Sequence, residues 1–206
     1  MTDTAARPNP VKGFLRLVMI EHSIFALPFA YLAALTAMRS QGAHVHWGTL
    51  ALITVAMVSA RTVAMAANRI IDVRIDAQNP RTANRELVTG AISMRVAWAG
   101  LLVSLVVFFV SAAALNLLCL LLSPLALFAL VIYSYAKRFT NYPQVFLGAA
   151  QAVAPVGAWI GVTGEWSWEA LVLGLAVGTW IGGFDCIYAC QDVDIDRQIG
   201  VGSVPV

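Results

Sequence analysis

Residues 96–136 read VAWAGLLVSLVVFFVSAAALNLLCLLLSPLALFALVIYSYA, and no charged side chain interrupts them. A helix crosses the hydrocarbon core of a bilayer with roughly 20 mostly apolar residues. The run holds two such helices, 96–115 and 117–136, with Asn116 alone between them, so they must form a tight hairpin. Lipid offers no hydrogen bonds to a bare backbone, which leaves helices or closed barrels as spanning structures, and these runs are too long for barrel strands. The rest of the chain supplies four further spans, at about 17–38, 48–70, 145–163 and 168–190. The sequence therefore predicts an all-α, multi-span transmembrane bundle of six helices, with residues 1–206 as a single domain. Pro124, Pro143 and Pro155 fall within or beside spans, where membrane helices tolerate proline better than soluble ones do.

Composition agrees. The 206 residues are 60% hydrophobic and 12% charged, with a mean hydropathy of +0.78. A soluble domain carries about 25% charged residues, so this chain lacks the polar side chains to cover a water-facing surface. A soluble enzyme and a disordered chain are excluded, and a net charge of +2 leaves no basic patch for nucleic acid. Three cysteines, Cys119, Cys186 and Cys190, are too few for a disulfide scaffold. Near the N-terminus Glu21 and His22 interrupt the apolar run and no small-residue cleavage site follows, so the first helix is expected to be retained.

Charge placement sets the orientation. With the N-terminus inside, Arg7, Lys12, Arg16, Arg69, Arg74, Arg81, Arg85, Arg95, Lys137, Arg138 and Arg197 all fall on the cytoplasmic side, eleven of the 13 basic residues. Arg39 alone lies outside, and Arg61 sits within the second span. The positive-inside rule thus supports six spans with both ends cytoplasmic. His44 and His46 fall in an outside loop, and Trp166 and Trp168 flank the last hairpin as an interfacial aromatic belt does.

Seven of the 11 acidic residues lie in two short segments, each continuing an apolar helix to its cytoplasmic end. One runs from Asn68 through Asp72 and Asp76 to Asn79-Pro80-Arg81-Thr82 and then Arg85-Glu86; the other runs from Asp185 through Tyr188, Asp192, Asp194 and Asp196 to Arg197. In each, a polar residue and two aspartates follow at four-residue steps: Asn68, Asp72, Asp76 and Tyr188, Asp192, Asp196. On a helix that spacing puts all three on one face, where like charges repel and a purely structural helix avoids them. The two Asp pairs are offset by the same interval (72 to 192, 76 to 196), which points to a duplicated four-helix unit. Asp185 and Asp194 lie off that face.

Four carboxylates at one rim of an apolar bundle fit hard divalent cations, and Mg²⁺ binds one or two carboxylates together with substrate phosphates. Arg81, Arg85 and Lys137 add donors suited to phosphate oxygens. The bland alternative is a set of solvated juxtamembrane ion pairs, which are weak. A transporter is a second alternative, but transport sites put ionisable residues near the midplane rather than at one rim.

At these residues the chain resembles the UbiA superfamily of intramembrane aromatic prenyltransferases. The first segment is similar to that family's N-x-x-x-D-x-x-x-D motif with its N-P-R-T and second Arg. The second is similar to its Y-x-x-x-D-x-x-x-D-R stretch with a trailing G-V-x-S-x-P, here Gly200 to Pro205. Glu21 to Pro28 and Tyr133 to Arg138 also look like family segments. The resemblance implies that Asn68, Asp72, Asp76, Asp192 and Asp196 organise Mg²⁺ and a polyprenyl diphosphate, with Arg81, Arg85 and Lys137 on the phosphates. Tyr188 would stand near the allylic cation. Arg61 would point into the cavity toward substrate, and an intramembrane arginine is functional by default in any case.

The activity implied is Mg²⁺-dependent prenyl transfer to a small aromatic acceptor, 4-hydroxybenzoate in ubiquinone-type synthesis or a naphthoate in menaquinone synthesis. The implied location is a bacterial inner membrane with the Asp motifs on the cytoplasmic side, and no obligate protein partner follows. Family members have nine helices, so the six here are expected to lack the last three and part of the cavity wall. The further alternative is then a truncated, non-catalytic paralogue.

Overall fold

The computed structural model describes residues 9–19, 27–42 and 44–206. Among them the chain is all helical: α1 (Pro10–Leu17), α2 (Leu27–Ser40), α3 (Trp47–Asp76), α4 (Met94–Leu115), α5 (Leu117–Ala136), α6 (Pro143–Thr163), α7 (Trp168–Ala189) and α8 (Val193–Ile199). Five are long and apolar enough to span a membrane: α3, α4, α5, α6, and α7 with its continuation to Ile199. The first expected span, 17–38, covers the end of α1, the fourteen-residue α2 and residues outside the described part, Glu21 and His22 among them. Arg7 lies outside it too.

Local sequence explains where the helices stop. Asn116 is the whole connection between α4 and α5, as the hairpin reading requires. Its backbone is extended, its side-chain oxygen accepts from Cys119 N at 2.9 Å, and its amide donates to the Ile160 carbonyl at 2.7 Å. One residue thus caps α5 and ties the hairpin to the outer end of α6. Gly164, in the left-handed conformation at φ 70°, closes α6, and Ser167 caps α7. Pro124 and Pro155 sit inside α5 and α6, and Pro143 opens α6. Trp166 and Trp168 stand exposed and edge-to-face beside the α6–α7 turn, where the belt reading puts them.

Packing between α6 and α7 rests on small residues. Gly174, Gly178 and Gly182 recur every fourth residue on α7 and lie against Ala152, Gly148 and Gln144 of α6. A Cβ at Gly148 would lie 2.5 Å from the Gly178 carbonyl oxygen, so the two backbones touch. Lipid is as apolar as leucine, which is why close backbone approach and not hydrophobicity joins membrane helices. The alanine face of α2 (Ala30, Ala33, Ala34) packs on Ile53 and Ala158 by the same logic.

α3 is the longest helix. At 30 residues it reaches about 45 Å, against a hydrocarbon core of about 30 Å. Its last turns, holding Asn68, Asp72 and Asp76, therefore stand at the edge of the bundle. Between α3, α4, α5 and α6 lies a cavity of about 420 Å³, walled mostly by Ala, Leu, Val and Ile.

Candidate functional site

The last two turns of α3 hold the first motif on one face, as its spacing predicts: Asn68 Nδ2 donates to Asp72 Oδ2 at 3.1 Å and to Ser134 Oγ at 3.2 Å. Asp72 is 1% exposed. Two cations from the end of α5 satisfy it, Lys137 Nζ at 2.6 Å from Oδ2 and Arg138 Nη2 at 2.8 Å from Oδ1. Arg138 is itself fixed by the Ser134 and Ile71 carbonyls, at 2.9 and 3.0 Å. A buried carboxylate with this little water needs such partners.

The segment between α3 and α4 folds over the rim in tight turns. Arg85 Nη1 lies 2.6 Å from Asp76 Oδ2, and Thr82 Oγ1 donates to the Asp76 carbonyl at 2.9 Å. Asn79 Oδ1 accepts from Arg81 N at 2.8 Å, while its Nδ2 donates to Asp192 Oδ1 at 3.0 Å. Arg81 clasps Asp192 in a fork, Nε on Oδ1 at 2.9 Å and Nη2 on Oδ2. Such charge-assisted bidentate pairs are the strong hydrogen bonds. They raise the Arg81 pKa above its ordinary value, so the pair stays charged. One loop therefore joins both Asp motifs.

The second motif departs from the single helix its spacing predicts. α7 ends at Ala189, Cys190–Asp192 form a 3₁₀ turn, and α8 starts at Val193. The Cys190 N–H closes on the Ile187 and Tyr188 carbonyls, tightening the helix just where Asp192 turns to Asn79 and Arg81. Asp196 is half-buried on α8 with no ion pair to a described residue, and Asp194 is exposed, off the face as expected. Tyr188 is 44% exposed and lies under Arg81, whose guanidinium stands 5.5 Å from its ring centroid. It belongs to the rim rather than to the described cavity.

Arg61 does face the cavity, with Tyr133 and Gln151 as polar neighbours in the lining. Its Nε is buried with no hydrogen-bond partner among the described residues. Buried donors are nearly always paired, so this orphan on a cavity-lining arginine is an exception.

The structure thus brings Asn68, Asp72, Asp76, Asp192, Tyr188, Arg81, Arg85 and Lys137 to one rim, with Arg61 below and Asp196 beside it. Reading the sequence gave Arg138, Asn79 and Ser134 no role. The signal available for them was that Asn79 belongs to the N-P-R-T stretch, and Ser134 and Arg138 to the Tyr133–Arg138 stretch, that look like family segments. Among the described residues no three His, Cys, Asp or Glu side chains lie close enough to hold a metal ion, because each paired Asp is drawn to its own cation. The donor set still suits Mg²⁺: hard carboxylate oxygens, already arranged to accept positive charge.

A long-helix bundle with a charged rim over an apolar cavity defines an intramembrane enzyme-like fold, and the comparisons agree. Residues 26–206 match the UbiA prenyltransferase family. The chain belongs to that family. A 4-hydroxybenzoate octaprenyltransferase of Francisella tularensis subsp. novicida (strain U112) is 35% identical over 158 residues, 76% of this chain and 55% of that protein. One from Shewanella woodyi is 28% identical over 94% of this chain and 68% of its own length. The chain thus spans about half to two thirds of these curated relatives. Among solved structures, the apo form of a UbiA homolog from Aeropyrum pernix K1 superposes with TM-score 0.82 at 41% identity, over 90% of this chain and 69% of that one. A UbiA homolog from Archaeoglobus fulgidus, bound to GPP and Mg²⁺, shares the fold at TM-score 0.72 and 22% identity, over 94% of this chain and 68% of its own.

Proposed function

We propose that this chain forms the donor and acceptor sites of a Mg²⁺-dependent prenyltransferase of the bacterial inner membrane, its Asp motifs facing the cytoplasm. It moves a polyprenyl group from the diphosphate to 4-hydroxybenzoate. One observation carries the reading: Arg61 lines an apolar cavity, its buried Nε without a hydrogen-bond partner among the described residues, beneath a rim where carboxylates and cations are held in pairs. Mg²⁺, when bound, supplies the charge that lets a diphosphate leave.

The rim residues exchange partners. Arg81, Arg85 and Lys137, which neutralise the Asp carboxylates, are donors of the kind that bind phosphate oxygens. As the diphosphate takes these cations, Asp76 and Asp192 would be freed to hold metal with the unpaired Asp196, while Asp72, still paired with Arg138, would join them with Asn68 beside it. The allylic C–O bond breaks with its electron pair on the leaving diphosphate. The apolar cavity offers room for the prenyl tail, the cation must be kept from water, and Tyr188 lies at the rim one turn from Asp192. A ring carbon of the acceptor then forms the C–C bond and releases its proton. Arg61 holds the acceptor carboxylate through the fork geometry that arginine offers. The relatives named for 4-hydroxybenzoate support that acceptor.

Binding tests the two ends separately. The chain, purified in detergent, is expected to bind pyrophosphate with Mg²⁺ and, independently, 4-hydroxybenzoate. Asp72→Ala should lose the first and keep the second; Arg61→Ala should do the reverse, by about 10-fold or more, since it removes a charged hydrogen-bonding pair. Acceptor binding untouched by Arg61→Ala would refute the acceptor site. Tighter binding of a naphthoate would move the chain to the menaquinone route.

A further inference from the structure

The segment after the second Asp motif folds back onto the turn that carries Lys137. α8 ends at Gly200, in the left-handed conformation at φ 68°. The Gly202 N–H then donates to the Lys137 carbonyl at 2.9 Å, and the Val204 N–H to Gln144 Oε1 at 3.3 Å. Arg197 reaches the Val206 carbonyl at 3.4 Å, closing the segment on itself.

Lys137 caps the C-terminus of α5, where helix carbonyls have no partner within the helix. The Gly202 N–H supplies that partner. Its approach is so close that a Cβ at 202 would stand 2.3 Å from the Thr140 carbonyl oxygen and 3.0 Å from Asn141 Oδ1. The first obstacle is main chain, so no rotamer change relieves it. A side chain here must lift the segment and break the bond to Lys137. That residue's ammonium is the group 2.6 Å from Asp72 Oδ2.

We infer that Gly202 is a positioning residue for Lys137: its bare backbone locks the Lys137 carbonyl and so holds the ammonium at Asp72, coupling the end of the second Asp motif to the first. The inference rests on the proposed role of Lys137 at the donor diphosphate.

The test is a double-mutant cycle on Mg²⁺-pyrophosphate binding by the chain in detergent. Gly202→Ala should weaken binding about 10-fold while leaving 4-hydroxybenzoate binding unchanged, and should add little in a Lys137→Ala background, since coupled residues are not additive. Gly183→Ala, whose Cβ would meet nothing within 4 Å, is the control and should match the parent. Hydrogen exchange gives a second readout that needs no ligand. Gly202→Ala should speed exchange in peptides covering 137–142 and 200–206 but not in 174–182. Full additivity of the two substitutions, or unchanged exchange in the first two peptides, would overturn the inference. If the parent binds no pyrophosphate, the functional reading fails, and exchange still decides whether Gly202 holds Lys137.

Discussion

Asp72 and Asp192 solve one electrostatic problem in two ways. Asp72 is sealed at the end of α3 by Lys137 and Arg138, both just past the end of α5, whereas Asp192 is met from above by Asn79 and Arg81 of the rim loop. The candidate aspartates and most of their cations were legible in the sequence, because doubled carboxylates at four-residue steps have no structural reason to exist. Who pairs with whom was not legible. Those pairs join residues far apart in the chain and depend on how helices pack, which is also why Arg138 and Asn79, though part of the quoted segments, carried no role. Asp192 and Asp194 separate the two readings of the second motif. Asp192→Ala should weaken Mg²⁺-pyrophosphate binding at least about 10-fold, the scale on which metal-site partners act. Asp194→Ala, on an exposed side chain, should change it less than about twofold. Equal losses, measured by titration calorimetry, would mean that charge alone matters and not the face.

Elements were read well where periodicity and length agreed and less well where backbone geometry intervened. The α4–α5 hairpin at Asn116 fell where the apolar run breaks, and α3 carried its motif on one uninterrupted helix. The break at Cys190–Asp192 was invisible, since a 3₁₀ turn leaves no mark on residue spacing alone. The glycine stripe of α7, Gly174, Gly178 and Gly182, is present in the sequence but leaves no mark on hydropathy. Its four-residue spacing is the signal that small residues face a partner helix. Gly178 tests it. Gly178→Leu forces a side chain into the Gly148 backbone and should destabilise the chain by about 1–3 kcal/mol or more, the cost of overpacking a tight site. Gly183→Leu, with open space at its Cβ, should cost far less. Comparable thermal unfolding of the two variants in detergent would show that the crossing is not the tight contact it looks.

The described bundle is lopsided. α6 is packed by α2, α5 and α7, but the side of α7 bearing Trp180, Phe184 and Ile187 is exposed, Ile187 to 73%. In a bilayer that side meets lipid or further helices, and the relatives matched are longer than this chain. The two halves of the proposed chemistry depend on different parts of the molecule. In that proposal diphosphate and metal would be held by residues that the chain already brings together at the rim. Transfer also requires a walled groove for the prenyl tail and a cation shielded from water. Residues 1–206 alone are therefore expected to bind Mg²⁺-pyrophosphate, yet to transfer a prenyl group at least about 100-fold more slowly than the Shewanella relative assayed beside them. That loss is about 2.7 kcal/mol of transition-state stabilisation. The comparison needs a radiolabelled prenyl diphosphate, 4-hydroxybenzoate and Mg²⁺ in the same membranes. Turnover within a few fold would show that the cavity between α3, α4, α5 and α6 is sufficient for the reaction, and that the exposed side of α7 is simply its lipid-facing wall.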